Sequence, residues 1–251
     1  MPARIVTFIV ILFLHAPLVV LMVNSFNESR FGGEWEGFTW KWYERLWEAD
    51  EVWSSLLLTL KIACLASLSA MALGTLAAWV LHQFRSRIQS VHHSLVTLPL
   101  ALPDLLMGMS LLALFVALGV ETGFMTIWIA HVTFCVSYVT LVVMGRLQDF
   151  DMTLLDAARD LGASRWQTVR RVLLPLLLPG ILAGGLLAFT LSMDDYVITF
   201  FVSGPGNTTL PLRVASMMKT SRNLPVINAL STLMIVATFL LAALSLRLQR
   251  R

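Results

Sequence analysis

FMTIWIAHVTFCVSYVTLVVM, Phe124 to Met144, runs for 21 residues without an acid, a lysine or an arginine. At 1.5 Å per residue a helix of that length rises ~31 Å, the thickness of a bilayer's hydrocarbon core. Five further apolar runs flank it: Ile5 to Val23, Ile62 to Leu81, Leu95 to Leu118, Leu176 to Phe201 and Leu224 to Leu246. The reading is an all-α integral membrane protein of six transmembrane helices, the third and fifth interrupted by proline. Composition agrees, since 57% of the 251 residues are hydrophobic and 13% charged, against about 25% charged in a soluble domain. A water-soluble globular enzyme is excluded. No polar stretch exceeds about thirty residues, so 1–251 reads as a single transmembrane domain.

The formal charge of +3 and pI near 9.2 do not call for a nucleic-acid partner, because the basic residues mark membrane faces. With both termini cytoplasmic, the inner segments hold Arg4, Arg85, Arg87, Arg146, Arg159, Arg165, Arg170, Arg171, Arg247, Arg250 and Arg251. The outer segments hold Arg30, Lys41, Arg45, Arg213, Lys219 and Arg222. Eleven against six places both ends inside. Arg4 followed by an apolar run looks like a signal peptide, but its 19 residues are long for one. Asn24-Ser25-Phe26 comes next with no small-x-small cleavage site, which makes it an uncleaved first helix.

Several chemistries are absent. There is no phosphate-binding loop and no Gly-Lys pair, so nucleotide hydrolysis needs another subunit. His15, His82, His92, His93 and His131 form no zinc-helix pattern, and no Gly-x-Ser-x-Gly elbow occurs. His131, on a membrane helix, reads as a packed polar residue. Cys64 and Cys135 both fall within spans and read as packing residues, with no metal site implied.

The cytoplasmic loop of about 145–172 carries its own start and stop signals. Thr153 with Asp156 three residues on resembles a capping box, which predicts a helix from near Leu154. Gly162 reads as its left-handed C-terminal cap. Ser164 is placed to cap a second helix, Arg165 to Leu174, leading towards Pro175. Ala157 and Ala158 keep one face small, so another backbone can approach. The alternative is a helical hairpin resting on lipid headgroups through its arginines.

Asp156-Ala157-Ala158, then Gly162, then Val172-x-Leu174-Pro175 resembles the Glu-Ala-Ala…Gly…Ile-x-Leu-Pro loop of permease subunits of binding-protein-dependent ABC importers. Asp stands for Glu at 156 and Val for Ile at 172. The resemblance implies the type I ABC importer permease fold, with this loop as the coupling helix that docks on the ATPase. It carries that role to Asp156, Ala157, Ala158, Gly162 and the neighbourhood of Arg165.

Charged groups inside a membrane are functional candidates, because an ionised carboxylate there costs several kcal/mol. Asp104 lies in the third span, ~15 Å from its inner end; Asp194 and Asp195 lie in the fifth, further out. Facing one lumen, they would form a middle and an upper station for a cationic solute. The alternatives are an ion pair with a partner subunit for Asp104, and a Ser192-Met193-Asp194-Asp195 run that caps a broken helix. Adjacent helical residues point about 100° apart, which leaves open which of Asp194 and Asp195 faces the lumen.

LPLALPDLL at 98–106 and LPLLLPGIL at 174–182 repeat one another, each with prolines four apart. Interrupted spans in corresponding positions point to a transport path; chance in a Leu- and Pro-rich background is the alternative. Gly180, Gly184 and Gly185 make a small face for close helix packing. The first outer loop, Asn24 to Trp53, holds Trp35, Trp40, Trp42, Tyr43, Trp47 and Trp53 with seven acids against three bases. An interfacial belt explains most of these rings, while Trp42 and Tyr43 are candidates for cation–π contact with an ammonium group.

Val23-Asn-Ser-Phe-Asn27, His131-Val-Thr-Phe-Cys135, Leu191-Ser-Met-Asp-Asp195 and Phe201-Val-Ser-Gly-Pro205 resemble the spermidine/putrescine importers, specifically their second permease subunit. That resemblance implies a non-catalytic, multi-pass subunit of a bacterial inner membrane. Its partners would be a homologous permease in a heterodimer, two copies of a cytoplasmic ATPase that bind the ATP and Mg, and a soluble binding protein. This chain itself would hold no cofactor or metal. The path residues implied are Asp104, Ser192, Asp194 and Asp195. Three alternatives stay open: an ABC permease for another small cationic amine or amino-acid derivative, an ion-coupled secondary transporter, and a membrane scaffold.

Overall fold

The computed structural model is helical apart from one isolated bridge between Asn27 and Phe38. It describes residues 2–30, 34–84, 88–219 and 224–249, with side chains between 4 and 240 of those. Arg85, Arg87, Arg222, Arg250 and Arg251, on which the topology partly rests, lie outside the described residues, as does the side chain of Arg247.

The helices are α1 Pro2–Asn24, α2 Lys41–Trp47, α3 Asp50–Gln83, α4 Gln89–Ala101, α5 Asp104–Ala117, α6 Phe124–Gln148, α7 Thr153–Asp160 and α8 Arg165–Thr168. A π-helical turn, Val169–Leu173, joins α8 to α9, Leu174–Asp194. Then come α10 Val197–Val202, α11 Leu210–Lys219 and α12 Leu224–Gln249. Four stretches are long and apolar enough to cross a bilayer: Arg4–Asn24, Asp50–Gln83, Phe124–Gln148 and Arg165–Asp194. The α4–α5 pair, bent by 111°, makes a fifth if its two helices count as one span, and Leu224–Leu240 is a shorter apolar helix.

The bend has a local cause. Proline crowds the residue before it out of the helical region, and Leu102 is extended at φ −82°, ψ 135° ahead of Pro103. The interruption expected in the fifth span falls elsewhere. Pro179 sits inside a continuous α9, and the break comes at Asp195, φ −63°, ψ 122°. Nor does a loop helix end before Pro175. Leu174 donates five residues back to Val169 in the π-turn, and the helix runs on through Pro175 into α9.

The chain forms two compact units, residues 1–54 with 213–251, and residues 55–212. In the first, α12 packs on α1 and α2. The α1 window buries none of its residues within the chain, and Ile5, Phe8, Leu12 and Phe13 point outward, as a lipid-facing helix requires. In the second unit α6 is the centre: Ile127, Ala130, Phe134, Cys135, Val139, Val143 and Leu147 are all buried. A Cβ on Gly74 would come within 2.8 Å of Val139 Cβ, and one on Gly184 within 3.3 Å of Val139 Cα. The small face read from the sequence therefore lets α3 and α9 close on α6. Lipid tails are as apolar as leucine, so this seam is held by van der Waals contact and by interhelical hydrogen bonds of ~0.6 kcal/mol on average. Ser67 Oγ donates to Gly185 O at 2.7 Å. Cys135 is a packing residue as expected, whereas Cys64 is exposed.

Candidate functional site

In the second unit, a cavity of about 320 Å³ opens where α4, α5, α6 and the α9–α10 break meet. Asp104, Asp194 and Asp195 all line it, together with Pro99 and the rings of Phe134, Tyr138 and Tyr196. No lysine, arginine or histidine is among the lining residues. Asp104 arrives there because the proline bend starts α5 at that residue, where a carboxylate also suits the positive end of the helix. Both acids of the fifth span reach the cavity because α9 ends between them. Asp194 is the last helical residue and Asp195 is extended, so the 100° offset of a continuous helix does not apply.

Asp195 also caps the first turn of α10. Its Oδ2 accepts from Thr199 N at 2.8 Å and Thr199 Oγ1 at 2.6 Å, and its Oδ1 from Ile198 N at 3.3 Å. Capping and cavity lining are alternatives in the sequence, and one residue does both. Ser192 is buried rather than lining the cavity, with its Oγ 2.6 Å from His131 Nδ1. The other ring nitrogen of His131 lies 2.9 Å from Thr199 Oγ1 and 3.4 Å from Asp195 Oδ2. His131 is packed, as expected, but at the heart of a polar network. Thr199, Tyr138 and Tyr196 have no individual signal in the sequence.

Trp42 and Tyr43 belong to the first unit. Trp42 is buried and donates its indole N–H to Asn27 O at 2.7 Å. Its ring already carries Lys41 Nζ at 4.7 Å and Arg45 Cζ at 5.1 Å. Tyr43 OH lies 2.7 Å from Ser25 Oγ. Asn27 organises this loop, donating to Glu34 O and accepting from the amides of Ser29 and Glu36.

The 145–172 loop is a helical hairpin. Leu155 is buried and anchors α7 to the second unit's core, leaving Asp156 and Ala157 exposed and Ala158 half-buried. The Thr153–Asp156 capping box does not form. Asp151 takes both groups of Thr153 that the box would use, accepting its amide N at 3.0 Å in place of Asp156 and drawing its hydroxyl Oγ1 into donating at 2.8 Å, and those two bonds hold the Asp151 carboxyl below the usual range. Asp156 instead pairs with Arg159 at 3.2 Å. Gly162, at φ +87°, ends α7 as expected. Its amide donates to Arg159 O and that of Ala163 to Ala158 O, the paired bonds of a Schellman motif. Ser164 caps α8 and is capped in return by Gln167. Arg165 is exposed, and Leu161 at 89% and Trp166 at 67% exposure put apolar surface on the same hairpin, a feature that no sequence pattern marks.

A helical membrane protein with an acid-lined cavity at helix breaks and a rigidly capped hairpin between two packed spans has the parts of a transporter's membrane subunit. Residues 70–251 match the family of binding-protein-dependent transport system inner membrane components, and the chain belongs to it. It is 42% identical to the spermidine/putrescine transport system permease protein PotC of Haemophilus influenzae, over 97% of this chain and 95% of that one. It is 45% identical to the putrescine transport system permease protein PotI of Escherichia coli, over 90% and 82%. Among solved structures, a chain of a bacterial ABC transporter involved in the import of the acidic polysaccharide alginate superposes with a TM-score of 0.78. That match has 14% identity and covers 98% of this chain and 94% of that one. A chain of an amino acid ABC transporter superposes at 0.62 with 21% identity, over 85% and 100%.

Proposed function

We propose that this chain is the second-type permease subunit of an ATP-driven polyamine importer and forms half of the path for putrescine or spermidine. The fold does not set the cargo, because a chain of an alginate transporter shares it. The observation that carries the reading is the cavity itself, with three carboxylates and three aromatic rings and no basic group on its lining. Carboxylates attract ammonium groups by charge, and ring faces add cation–π attraction of ~0.5–2 kcal/mol when desolvated. The named cargo of the PotC and PotI relatives supports the same assignment.

In this reading the whole chain acts as one membrane domain of six spans in the bacterial inner membrane, type I in fold, with both termini cytoplasmic. The bent α4–α5 pair counts as the third span and α12 as the sixth. Asp104, Asp194 and Asp195 contact the amine directly and Ser192 stands behind them; Trp42 and Tyr43 act separately, in the outer loop. A homologous permease supplies the other half. Two ATPase copies bind ATP and Mg and dock on Asp156, Ala157, Ala158, Gly162 and Arg165, with Leu161 and Trp166 as apolar anchors. A soluble binding protein delivers the cargo.

The test is ATP-dependent uptake of labelled putrescine and spermidine into vesicles holding the assembled complex, beside a neutral amino acid. Uptake of either amine is expected; uptake of the neutral solute alone, or uptake driven by a proton gradient without ATP, overturns the proposal. In the same vesicles Asp156→Lys reverses charge on the docking face. Uptake should fall to background with the permease still inserted, and normal uptake would remove the hairpin from coupling.

A further inference from the structure

The network around His131 has a direction that its distances fix. Every protein group hydrogen-bonded to the Asp195 carboxylate is a donor: Ile198 N, Thr199 N and Thr199 Oγ1. That is the environment of an ionised, acceptor-only group. Thr199 has one hydroxyl hydrogen, and at 2.6 Å from Oδ2 it is committed to Asp195. The hydrogen in the 2.9 Å contact between Thr199 Oγ1 and His131 Nε2 must then come from the imidazole. A neutral ring with Nε2 protonated leaves Nδ1 as an acceptor, and the Ser192 hydroxyl donates to it at 2.6 Å. The chain therefore runs one way from His131 through Thr199 to Asp195 Oδ2, and with a neutral ring it begins at Ser192.

Its surroundings make that order costly to break. His131, Ser192 and Thr199 are each at least 98% buried, and the Asp195 side chain is 9% exposed, so a lost partner is not replaced by bulk water. The relay also crosses the break in the fifth span. Ser192 is in the last turn of α9, Thr199 is in α10, and His131 reaches both from α6. The two carboxylate oxygens end up unequal. Oδ2 takes both Thr199 donors, with His131 Nε2 3.4 Å away. Among the described residues, Oδ1 has only the 3.3 Å contact with Ile198 N.

We propose that His131 is a positioning residue for cation recognition: through Thr199 it anchors Asp195 Oδ2 and so leaves Oδ1 to accept a primary ammonium group in the cavity. This rests on the reading of the cavity as an amine path. It makes the affinity for an ammonium group depend on a ring that does not touch the cargo. Removing the relay should weaken cargo binding without slowing the motor.

The test compares His131→Leu, His131→Gln and Thr199→Val in the full complex, reading KM and maximal rate of putrescine uptake normalised to assembled permease. His131→Leu and Thr199→Val should raise KM about tenfold, the size of one charge-assisted hydrogen bond, at near-normal maximal rate. His131→Gln, whose amide N–H reaches towards the Nε2 position, should recover most of the affinity. A loss of assembled protein or of maximal rate with KM unmoved overturns the proposal in favour of a packing role. Solid-state ¹⁵N spectra of the histidine-labelled complex, with His131 assigned by difference from His131→Gln, should show a neutral ring protonated on Nε2. A proton on Nδ1 overturns the relay whatever the cargo. Failure of the wild-type complex to import either amine, with Nε2 protonated, overturns the cargo assignment while leaving the relay in place.

Discussion

LPLALPDLL at 98–106 and LPLLLPGIL at 174–182 share leucines and both prolines, yet one bends by 111° and the other runs on as one uninterrupted helix. Pro103 and Pro179 each remove the hydrogen bond to the residue four before, and an interior proline costs a helix ~3 kcal/mol. The difference lies in the neighbours. Along α9, Leu177, Gly180, Ile181, Gly184, Gly185 and Ala188 are buried, and α6 holds the helix to its course. α4 also touches α6 but buries none of its side chains, so among the described residues its packing opposes the break less than that of α9. At the matching position Asp104 gains by starting a helix, whereas Gly180 lies against the stem of Arg146, where a Cβ would come within 2.5 Å of Cγ. Proline marks where a span can break, and packing decides whether it does.

Four substitutions test that contrast, the largest effect first. Asp104→Asn removes the charge that the bend delivers to the cavity, and its apparent affinity for putrescine in vesicle uptake should fall by about tenfold or more, with assembly intact. Unchanged uptake would reduce the bend to a packing detail. Gly180→Leu overfills the α6–α9 seam at a cost of ~1–3 kcal/mol. Thermal unfolding of the purified permease should shift down by several degrees, and no shift would mean that α9 is not held by α6 there. The smallest effect separates Pro103→Ala from Pro179→Ala. The first should widen the angle between spin labels placed on α4 and α5. The second should leave labels flanking residue 179 in α9 at the same distance, since that helix is already unbroken there. Equal behaviour of the two would break the comparison.

How much of this is legible in the sequence depends on the range of each interaction. The apolar runs place the helices, because length and composition are local. Gly162 and Ser164 read correctly as caps because each acts within three or four residues. Thr153 misleads within the same hairpin because Asp151, two residues upstream, takes its hydroxyl and amide. The three acids can be named individually, since a carboxylate inside an apolar run stands out. That Asp194 and Asp195 both line the cavity cannot be read, because it depends on the helix ending between them. The continuity of α9 past Pro179 rests on its packing against α6, and His131 meets a threonine 68 residues away. No periodicity or motif records either one.

Arg165 to Asp194 is one continuous helical stretch of 30 residues, with the π-turn inside it and no break at either proline. It is ~45 Å long at 1.5 Å per residue. One end lies in the hairpin beside Gly162 and the other at the cavity acids. The two are ends of a single lever arm. A tilt of about 5° at the hairpin would sweep the Asp194 end through about 4 Å, further than the ~3 Å of a hydrogen bond. A small rotation of the hairpin thus reaches far enough to move a cavity carboxylate by more than the length of a hydrogen bond.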